Sequence, residues 1–404
     1  MTSPQSLVLS PPFLQAAVAN FLFFSNLASF NLLPLYIKEL GGTEAKIGII
    51  MGIQSVSAII CQPLLGEWVD RVGRRPFMLF GTTLAGLISL VFGFTSSLGL
   101  LFPLLRFLQG IAFSAFFIAN YTFIVDLVPA ERRGWALGIF GLSGLLSTAL
   151  APLLGEQVIR SFGYRPFFLE VTILTLLALP MVWRVRESRV APIARSQGLE
   201  ALVEGFAEVF RLHMALTFFF GLGIGTIMTF VPTLAESLGI LNLSLFYTAY
   251  AGCALLVRIV GGGLIDRLGR RAVIVPSMFV QAAGAGILTA LGFLASAPAT
   301  IPALPFLFLA GLLTGAAHGF LFPALSALVM DLASGGQRGR VVAIFSSVAL
   351  TGQALGAASF GYVARELGYG VMFGTLTALL AAGFAMSLRL RPFPDGPVVR
   401  RGGR

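Results

Sequence analysis

The chain has 404 residues, of which 57% are hydrophobic and only 11% are charged, and its net charge is +10. Because a soluble domain averages about 25% charged residues, this composition excludes a protein whose whole surface faces water and indicates one that lies in a lipid bilayer. The basic residues lie in short gaps between apolar stretches rather than on one polar domain, so the charge does not indicate nucleic acid as a partner.

Twelve apolar stretches of about 20 residues follow one another, each long enough to cross a hydrocarbon core about 30 Å thick. Because lipid offers the backbone no hydrogen-bonding partner, each is predicted to be a helix. The predicted fold class is therefore an all-α polytopic membrane protein with 12 transmembrane helices. The spans are expected at 13–36, 47–66, 77–96, 99–125, 135–157, 164–183, 214–236, 243–265, 272–295, 302–330, 341–363 and 369–388.

The distribution of Lys and Arg predicts the orientation of the spans. With the N-terminus inside, 20 of the 27 basic residues fall in inner segments, five in outer gaps, and two, Arg106 and Arg258, within spans. Both termini are therefore expected in the cytoplasm. Arginine replaces nearly all lysine, as is typical of a GC-rich bacterial genome, so the expected location is the inner (cell) membrane of a bacterium, with multiple passes.

Span 1 contains three asparagines and neither Asp nor Glu. Asn20, Asn26 and Asn31 are candidates to line a cavity. Asn20 and Asn31 lie eleven residues apart, which is about three helical turns, so they share one face and Asn26 lies off it.

The loop after span 2 carries a charged motif that recurs later in the chain. Residues 66–75 read GEWVDRVGRR and residues 262–271 read GGLIDRLGRR, an offset of 196. Further pairs follow, among them Pro34 with Pro232 at an offset of 198, and Asp126 with Asp331 at an offset of 205. These repeats predict a six-helix unit duplicated in parallel, with a central cavity between the two halves near mid-membrane.

The longest gap between spans divides the chain into two bundles. We expect an N-terminal six-helix bundle at 1–183, a cytoplasmic linker at 184–213, a C-terminal six-helix bundle at 214–390 and a basic cytoplasmic tail at 391–404. Apolar residues at helical spacing within the linker predict an amphipathic helix that lies on the inner membrane surface.

Span 4 contains a charged residue, and a charge at mid-bilayer costs about 2.5–3.5 kcal/mol on insertion scales. Arg106 begins about 10 Å below the outer edge of this span, at 1.5 Å per residue. It either serves substrate or proton traffic in the interior or extends to the outer surface. Asn120 falls on the same face with Tyr121 beside it, so span 4 has a polar stripe.

Two further titratable groups lie within spans of the second half. Arg258 is about 12 Å above Asp266 by helical rise, so it either extends to the inner surface or has a function; its counterpart in the repeat is Gln62. His318 lies about 20 Å above Asp331. It is either a packed, hydrogen-bonded residue or a proton carrier, since histidine titrates near neutral pH.

On these residues the sequence resembles the major facilitator superfamily over nearly all of its length. The signature Gly-x-x-x-Asp-Arg-x-Gly-Arg-Arg of the loop between spans 2 and 3 stands here as Gly66, Asp70, Arg71, Gly73, Arg74 and Arg75. The second copy is Gly262, Asp266, Arg267, Gly269, Arg270 and Arg271. The span-4 signature Arg-x-x-Gln-Gly stands as Arg106, Gln109 and Gly110.

The resemblance implies that the repeated loop is a gate at the inner side of the cavity, closed in the outward-facing state. Asp70 is expected to pair with a neighbouring helix N-terminus, where the macrodipole is positive; the nearest candidate is the start of span 11 near Arg340. Asp126 is expected beside Arg71 or Arg74, and Asp331 is its counterpart. The alternative for the arginines of the loop is that they serve only the orientation of the spans.

The resemblance also bears on the direction of transport. Efflux-type relatives carry Gly-Pro-x-x-Gly-Gly in span 5, and residues 151–156 read APLLGE here. Pro152 and Gly155 fit this element, whereas Ala151 and Glu156 do not, so export is supported only in part. Glu156, Glu170 and Glu236 are expected near the membrane surface.

Neither of the two lysines follows glycine, so the sequence lacks an ATP-binding phosphate loop, and no His/Cys/acid cluster suits metal-dependent hydrolysis. We therefore expect no enzyme and no cofactor. The resemblance implies a secondary active transporter that works by alternating access, with proton-coupled export of an amphipathic drug or metabolite as the favoured function. The alternatives are uptake or uniport of a small organic solute, or lipid flipping. The expected partners are a small-molecule substrate, protons and the lipid bilayer, and a monomer is expected.

Overall fold

The computed structural model describes residues 10–129, 133–185, 200–261, 264–295, 302–331 and 338–390. Within these ranges it describes only the backbone of residues 133–135, 200–210, 266, 330–331 and 338–343. The predicted basic tail at 391–404 and the linker residues 186–199 lie outside the described residues.

Spans 1 to 6 form the first half of the molecule, and most of them are single long helices. Their bounds are α1 (Pro11–Ser29), a 3₁₀ turn (Phe30–Leu32) and α2 (Leu33–Glu39) for span 1; α3 (Glu44–Val72), α4 (Arg74–Phe92), α5 (Leu101–Leu127) and α6 (Arg133–Phe162) for spans 2 to 5; and α7 (Tyr164–Leu176) with α8 (Ala178–Trp183) for span 6.

Spans 7 to 12 form the second half. Their bounds are α9 (Glu200–Ser237) for span 7, α10 (Ser244–Gly261) with α11 (Leu264–Leu268) for span 8, α12 (Arg270–Leu294) for span 9, α13 (Ala303–Asp331) for span 10 and α14 (Arg338–Ser387) for spans 11 and 12. Eleven helical segments of the described chain are long and apolar enough to cross a membrane. The last of these segments contains two spans, because Gly368 breaks the helical backbone at φ 81° and ψ 171°. The predicted all-α polytopic fold is therefore confirmed.

The helical part of the linker is continuous with span 7 in the structure. The backbone from Glu200 to Ser237 is one helix of 38 residues, so the helical part of the linker runs on into span 7 without a break. The expected boundary between linker and second bundle at residue 213 lies inside this helix.

Six glycines of the described chain have positive φ, and they form three pairs related by the sequence repeat. The pairs are Gly41 with Gly239, Gly73 with Gly269, and Gly163 with Gly368, at offsets of 198, 196 and 205. These are the offsets at which the sequence repeats described above recur, so the two halves share turns as well as sequence. We call the end of the molecule with the turns at Gly73 and Gly269 the basic end, and the opposite end, with the turns at Gly41, Gly163, Gly239 and Gly368, the far end.

Glycines also let spans approach closely. A Cβ at Gly311 would lie 2.6 Å from the carbonyl oxygen of Phe246, and one at Gly319 would lie 3.0 Å from that of Ala254. Span 10 therefore packs on span 8 with its backbone almost in contact, as is common where small residues line a helix interface in membranes.

Candidate functional site

Arg106 lies in the interior of the first half and is bound there on several sides. Its side chain is buried, with 2% exposed, and it donates to the carbonyl oxygens of Ile50 at 3.4 Å and Met51 at 3.2 Å in span 2. It also donates to Gln54 Oε1 at 2.8 Å and to Gln109 Oε1. The guanidinium therefore joins span 4 to span 2 and does not extend to the membrane surface.

The hydrogen-bond network continues from Gln109 through Asn26. Gln109 Nε2 donates to Asn26 Oδ1 at 3.1 Å. Asn26 Nδ2 lies 2.7 Å from Ser89 Oγ and 2.9 Å from Thr175 Oγ1. Four spans of the first half, 1, 3, 4 and 6, are thus joined by buried hydrogen bonds, which hold this half together as one body.

The other polar residues of spans 1 and 4 lie in two further places. Asn20 Nδ2 donates to Ser143 Oγ at 2.8 Å, and Asn120 Nδ2 lies 3.4 Å from Asn20 Oδ1, so both are buried among spans 1, 4 and 5. Asn31 is near the far end, where its carbonyl oxygen is 3.5 Å from the hydroxyl of Tyr247. Tyr121 is partly exposed, with its ring centroid 5.8 Å from that of Phe117.

At the basic end of the first half, Arg74 joins three spans. Its side chain is buried, with Nε 3.0 Å from Asp126 Oδ2 of span 4 and Nη2 3.1 Å from Asp70 Oδ1 of span 2. The same guanidinium donates to the carbonyl oxygen of Val69 at 3.3 Å. Arg71 instead forms an exposed pair with Glu67 at 2.5 Å.

The remaining motif residues occupy the surface or lie outside the described residues. Arg75 Cζ lies 4.6 Å from the centroid of the Trp183 ring, Gly66 has open space where a Cβ would stand, Arg267 is exposed, and Arg271 Nη2 donates to the carbonyl oxygen of Leu388 at 3.3 Å. Arg270 begins span 9, directly after the turn at Gly269. Gly262 and the side chains of Asp266, Asp331 and Arg340 lie outside the described residues.

Glu156 joins the two halves at the far end, a role that the sequence pattern did not indicate. Its side chain is buried, with 6% exposed, rather than lying at the surface as expected. Oε2 accepts from the backbone N–H of Ser244 at 2.7 Å, Oε1 accepts from that of Leu243 at 3.2 Å, and Arg160 Nη2 lies 2.6 Å from Oε1. Because Ser244 begins span 8, a carboxylate of the first half caps the positive end of a helix of the second half.

Three further polar contacts at the far end connect the halves. Lys38 Nζ of the first half is 3.4 Å from Glu236 Oε2 of the second. The hydroxyl of Tyr369 in the second half donates to Glu44 Oε1 in the first at 3.1 Å. Thr248 Oγ1 of span 8 donates to the carbonyl oxygen of Ala149 in span 5 at 3.1 Å.

Span 2 also packs closely on span 11 at this end. A Cβ at Gly52 would lie 3.0 Å from the carbonyl oxygen of Ala354, and one at Gly361 would lie 2.5 Å from that of Glu44. The polar contacts between the halves named above all lie toward the far end. The molecule is therefore closed there.

The two residues that fit the efflux-type element lie inside span 5. Pro152 lies within α6 and is buried. A Cβ at Gly155 would lie 2.6 Å from Phe167 Cε2 of span 6. Gly155 therefore allows spans 5 and 6 to pack closely next to Glu156.

Arg258 and His318 lie together in the second half. The guanidinium carbon of Arg258 is 5.8 Å from the centroid of the Phe322 ring. The imidazole of His318 is stacked with Phe322 at 6.0 Å and lies 5.5 Å from the ring of Tyr250. Arg258 Nε and His318 Nδ1 are buried atoms without a hydrogen-bond partner in the structure.

Comparison with known proteins gives a consistent result over the whole chain. A sequence model of the Major Facilitator Superfamily matches residues 16–301 and 213–404. The chain is 23% identical over 393 residues to the staphylopine export protein of Staphylococcus aureus, with 95% of this chain and 97% of that protein covered. It is 28% identical over 363 residues to the multidrug resistance protein MdtG of Citrobacter koseri, with 83% and 86% covered. Among solved structures, the nucleoside transporter NupG matches with a TM-score of 0.75 at 16% identity, with 94% and 99% covered.

Proposed function

This chain belongs to the major facilitator superfamily and is a multi-pass membrane transporter, and from this premise we propose that it exports a small amphipathic molecule in exchange for protons. The basic end faces the cytoplasm in this proposal, as the excess of Lys and Arg there supports. The far-end closure then corresponds to an inward-facing state, in which substrate enters the cavity from the cytoplasm.

The observation that carries the proposal is the joining of the halves at the far end. Arg74 and Arg106 hold the first half together internally, whereas Glu156, Lys38 and Tyr369 connect it to the second half at the far end. Two firm bodies joined by a small number of polar contacts at one end suit alternating access, because the halves can separate there without loss of their own packing.

The proposed gate at the basic end follows from the same geometry. Arg74 lies between Asp70 and Asp126, and Asp70 is 58% exposed on its side chain. An exposed carboxylate at the end of span 2 is available to a helix of the second half once the basic end closes. The alternate state would then exchange the Glu156 contacts for contacts of Asp70.

Export rather than uptake is supported by the names of the two sequence relatives, an export protein and a multidrug resistance protein. Proton entry supplies about 2.3 kcal/mol per 100 mV of membrane potential and about 1.36 kcal/mol per pH unit. One proton per substrate is therefore sufficient for roughly a hundredfold gradient of the exported molecule.

The test uses the purified full chain in liposomes that contain a pH-sensitive dye. After a pH gradient is imposed, a panel of lipophilic cations, organic anions, amino-acid derivatives and sugars is added, with protein-free liposomes as the control. We expect one chemical class to dissipate the gradient, and His318→Gln to show whether the imidazole takes part. If a radiolabelled solute equilibrates while no compound moves protons, the protein is a uniporter and proton coupling is wrong.

A further inference from the structure

Arg258 is a cation in a membrane span, and its buried Nε has no hydrogen-bond partner in the structure. An arginine offers five N–H donors, and leaving a charge without compensation in a low-dielectric interior is costly. None of the carboxylates whose side chains the structure describes pairs with it. The backbone of Asp266, whose side chain is not among them, is about 12 Å away along the span by helical rise. The structure therefore contains a positive charge that no described protein anion neutralises.

Arg106 is a buried arginine with a structural role and serves as a comparison for Arg258. Its three guanidinium nitrogens all donate, to two glutamine side chains and to two backbone carbonyl oxygens. Arg258 occupies a span of the other half, where the corresponding repeat position in the first half is Gln62. The repeat therefore does not require an arginine at this position, and the fold provides no hydrogen-bond partner for Arg258 Nε. A bound ligand is the partner that this chemistry suggests.

The surroundings of Arg258 suit the apolar part of an amphipathic ligand. The ring of His318 lies between two aromatic rings. Its centroid is 5.5 Å from that of Tyr250 and 6.0 Å from that of Phe322. His318 lies near the middle of a helix of 29 residues, and its unpartnered Nδ1 adds a second polar atom. A cation beside aromatic faces binds a planar anion both through charge and through ring stacking.

The group lies at the boundary between the halves. A Cβ at Gly141, in span 5 of the first half, would stand 3.2 Å from Arg258 Nη1. The guanidinium of the second half therefore lies against the backbone of the first. A ligand held there would touch both halves, which is what a transported molecule must do.

We infer that Arg258 binds the anionic group of the transported molecule, with His318 as its polar neighbour and Tyr250 and Phe322 against the apolar part. The substrate class is thus an aromatic or otherwise amphipathic organic anion. The inference rests on the proposed function, since it names the substrate of the same cavity.

The test measures equilibrium binding of three naphthalene compounds that differ in charge: 2-naphthalenesulfonate, 2-naphthylmethylammonium and 2-naphthalenemethanol. The full-length protein is titrated calorimetrically. We expect the sulfonate to bind most tightly, and Arg258→Gln to weaken its binding tenfold or more, because a hydrogen bond to a charged group is worth more than a neutral one. Arg258→Lys should retain part of the affinity, since it keeps the charge but loses the planar fork.

Arg165→Gln is the matched control, because Arg165 also lies over a phenylalanine ring, with Cζ 4.9 Å from the centroid of Phe94, but is exposed and away from this group. It should leave all three dissociation constants unchanged. Gly141→Val, which crowds the guanidinium, should weaken sulfonate binding, whereas Gly138→Val, one turn earlier where a Cβ meets no atom within 4 Å, should not. This second pair decides the matter if Arg258→Gln does not fold.

The inference is overturned if the sulfonate does not bind, if the ammonium or the alcohol binds as tightly, or if neither Arg258→Gln nor Gly141→Val changes the dissociation constant of the sulfonate. Failure of the proposed function looks different. In that case the sulfonate binds through Arg258 but neither crosses the liposome membrane nor moves protons.

Discussion

The three arginines in the loop between spans 2 and 3 have three different surroundings. Arg74 is buried between two carboxylates, Arg71 pairs with Glu67 at the surface, and Arg75 lies over an indole ring. The sequence motif does not distinguish the three arginines. The position of Asp126 in the folded bundle decides which of them is buried. Their contributions to stability should therefore differ strongly.

We expect Arg74→Ala to destabilise the protein by about 3 kcal/mol or more, because it removes the buried guanidinium that lies 3.0 Å from the nearly buried carboxylate of Asp126. Arg71→Ala should cost at most about 1 kcal/mol, as is usual for exposed ion pairs. Unfolding of the two variants in detergent, monitored by circular dichroism against heat or denaturant, measures the difference. Equal losses in both variants would contradict the structural role of Arg74.

At the scale of single elements, the turns are the most strictly repeated features. Gly73, Gly163, Gly269 and Gly368 have φ between 80° and 117° with ψ near 180°, a region that is essentially limited to glycine. In each half, one such turn joins two spans at the basic end and one joins two spans at the far end. At Gly163 and Gly368 the backbone conformation alone requires glycine, because a Cβ at either position would meet no atom within 4 Å.

Gly163→Ala and Gly368→Ala should each destabilise the fold by about 1–3 kcal/mol through backbone strain alone. Gly138→Ala is the control, because it also meets open space but lies within a helix, where alanine is favoured by about 0.5–1 kcal/mol. Thermal unfolding midpoints in detergent compare the three. A loss in the control as large as in the turn variants would show that the turn conformation is not the cause.

The number of helices, their order and the division into two repeats follow from hydropathy and repetition, because the bilayer requires long apolar segments with internally satisfied backbones. The pairing of Arg106 with the backbone of span 2 does not follow from them, since it depends on which faces of spans 2 and 4 meet. The continuity of the linker helix with span 7 was likewise not predicted. Its amphipathic pattern fits either a surface helix or an extension of the span.

For the whole molecule, the least predictable feature is the far-end closure. Glu156 occupies a place where efflux-type relatives carry glycine, and sequence alone suggested only a departure from that element. Its partners are backbone N–H groups of another half, 87 and 88 residues away. Backbone donors carry no side-chain signature, so this contact becomes visible only in the folded chain.

Glu156→Gln should shift the molecule toward a state that is open at the far end, because the amide lacks the charge that the helix N-terminus and Arg160 favour. Spin labels at Phe162→Cys and Leu367→Cys, in a background with Cys61 and Cys253 replaced by serine, report the separation of the halves by pulsed electron paramagnetic resonance. Both labelled positions are exposed and directly precede turn glycines of the two halves. We expect a longer distance to gain population in Glu156→Gln.

Glu366→Gln is the matched control for this measurement, since Glu366 is also a carboxylate at the far end but pairs with its own neighbour Arg365, within one half. Its distance distribution should equal that of the native protein. An unchanged distance distribution in Glu156→Gln would show that Glu156 does not hold the far end closed. The packing of span 2 on span 11 would then account for the closure.

The hydrogen bonds of Glu156 also set one part of the free energy that a transport cycle has to supply to open the far end. Moving a two-state equilibrium from 1:99 to 99:1 takes a ligand that prefers one state by about 5.5 kcal/mol. A hydrogen bond to a charged group contributes only about 1.5–3 kcal/mol, so the loss of the Glu156 contacts is of the order that one well-placed charged substrate compensates. A single bound charged molecule can thus offset the Glu156 part of the closure, and the packing of span 2 on span 11 is a separate contribution.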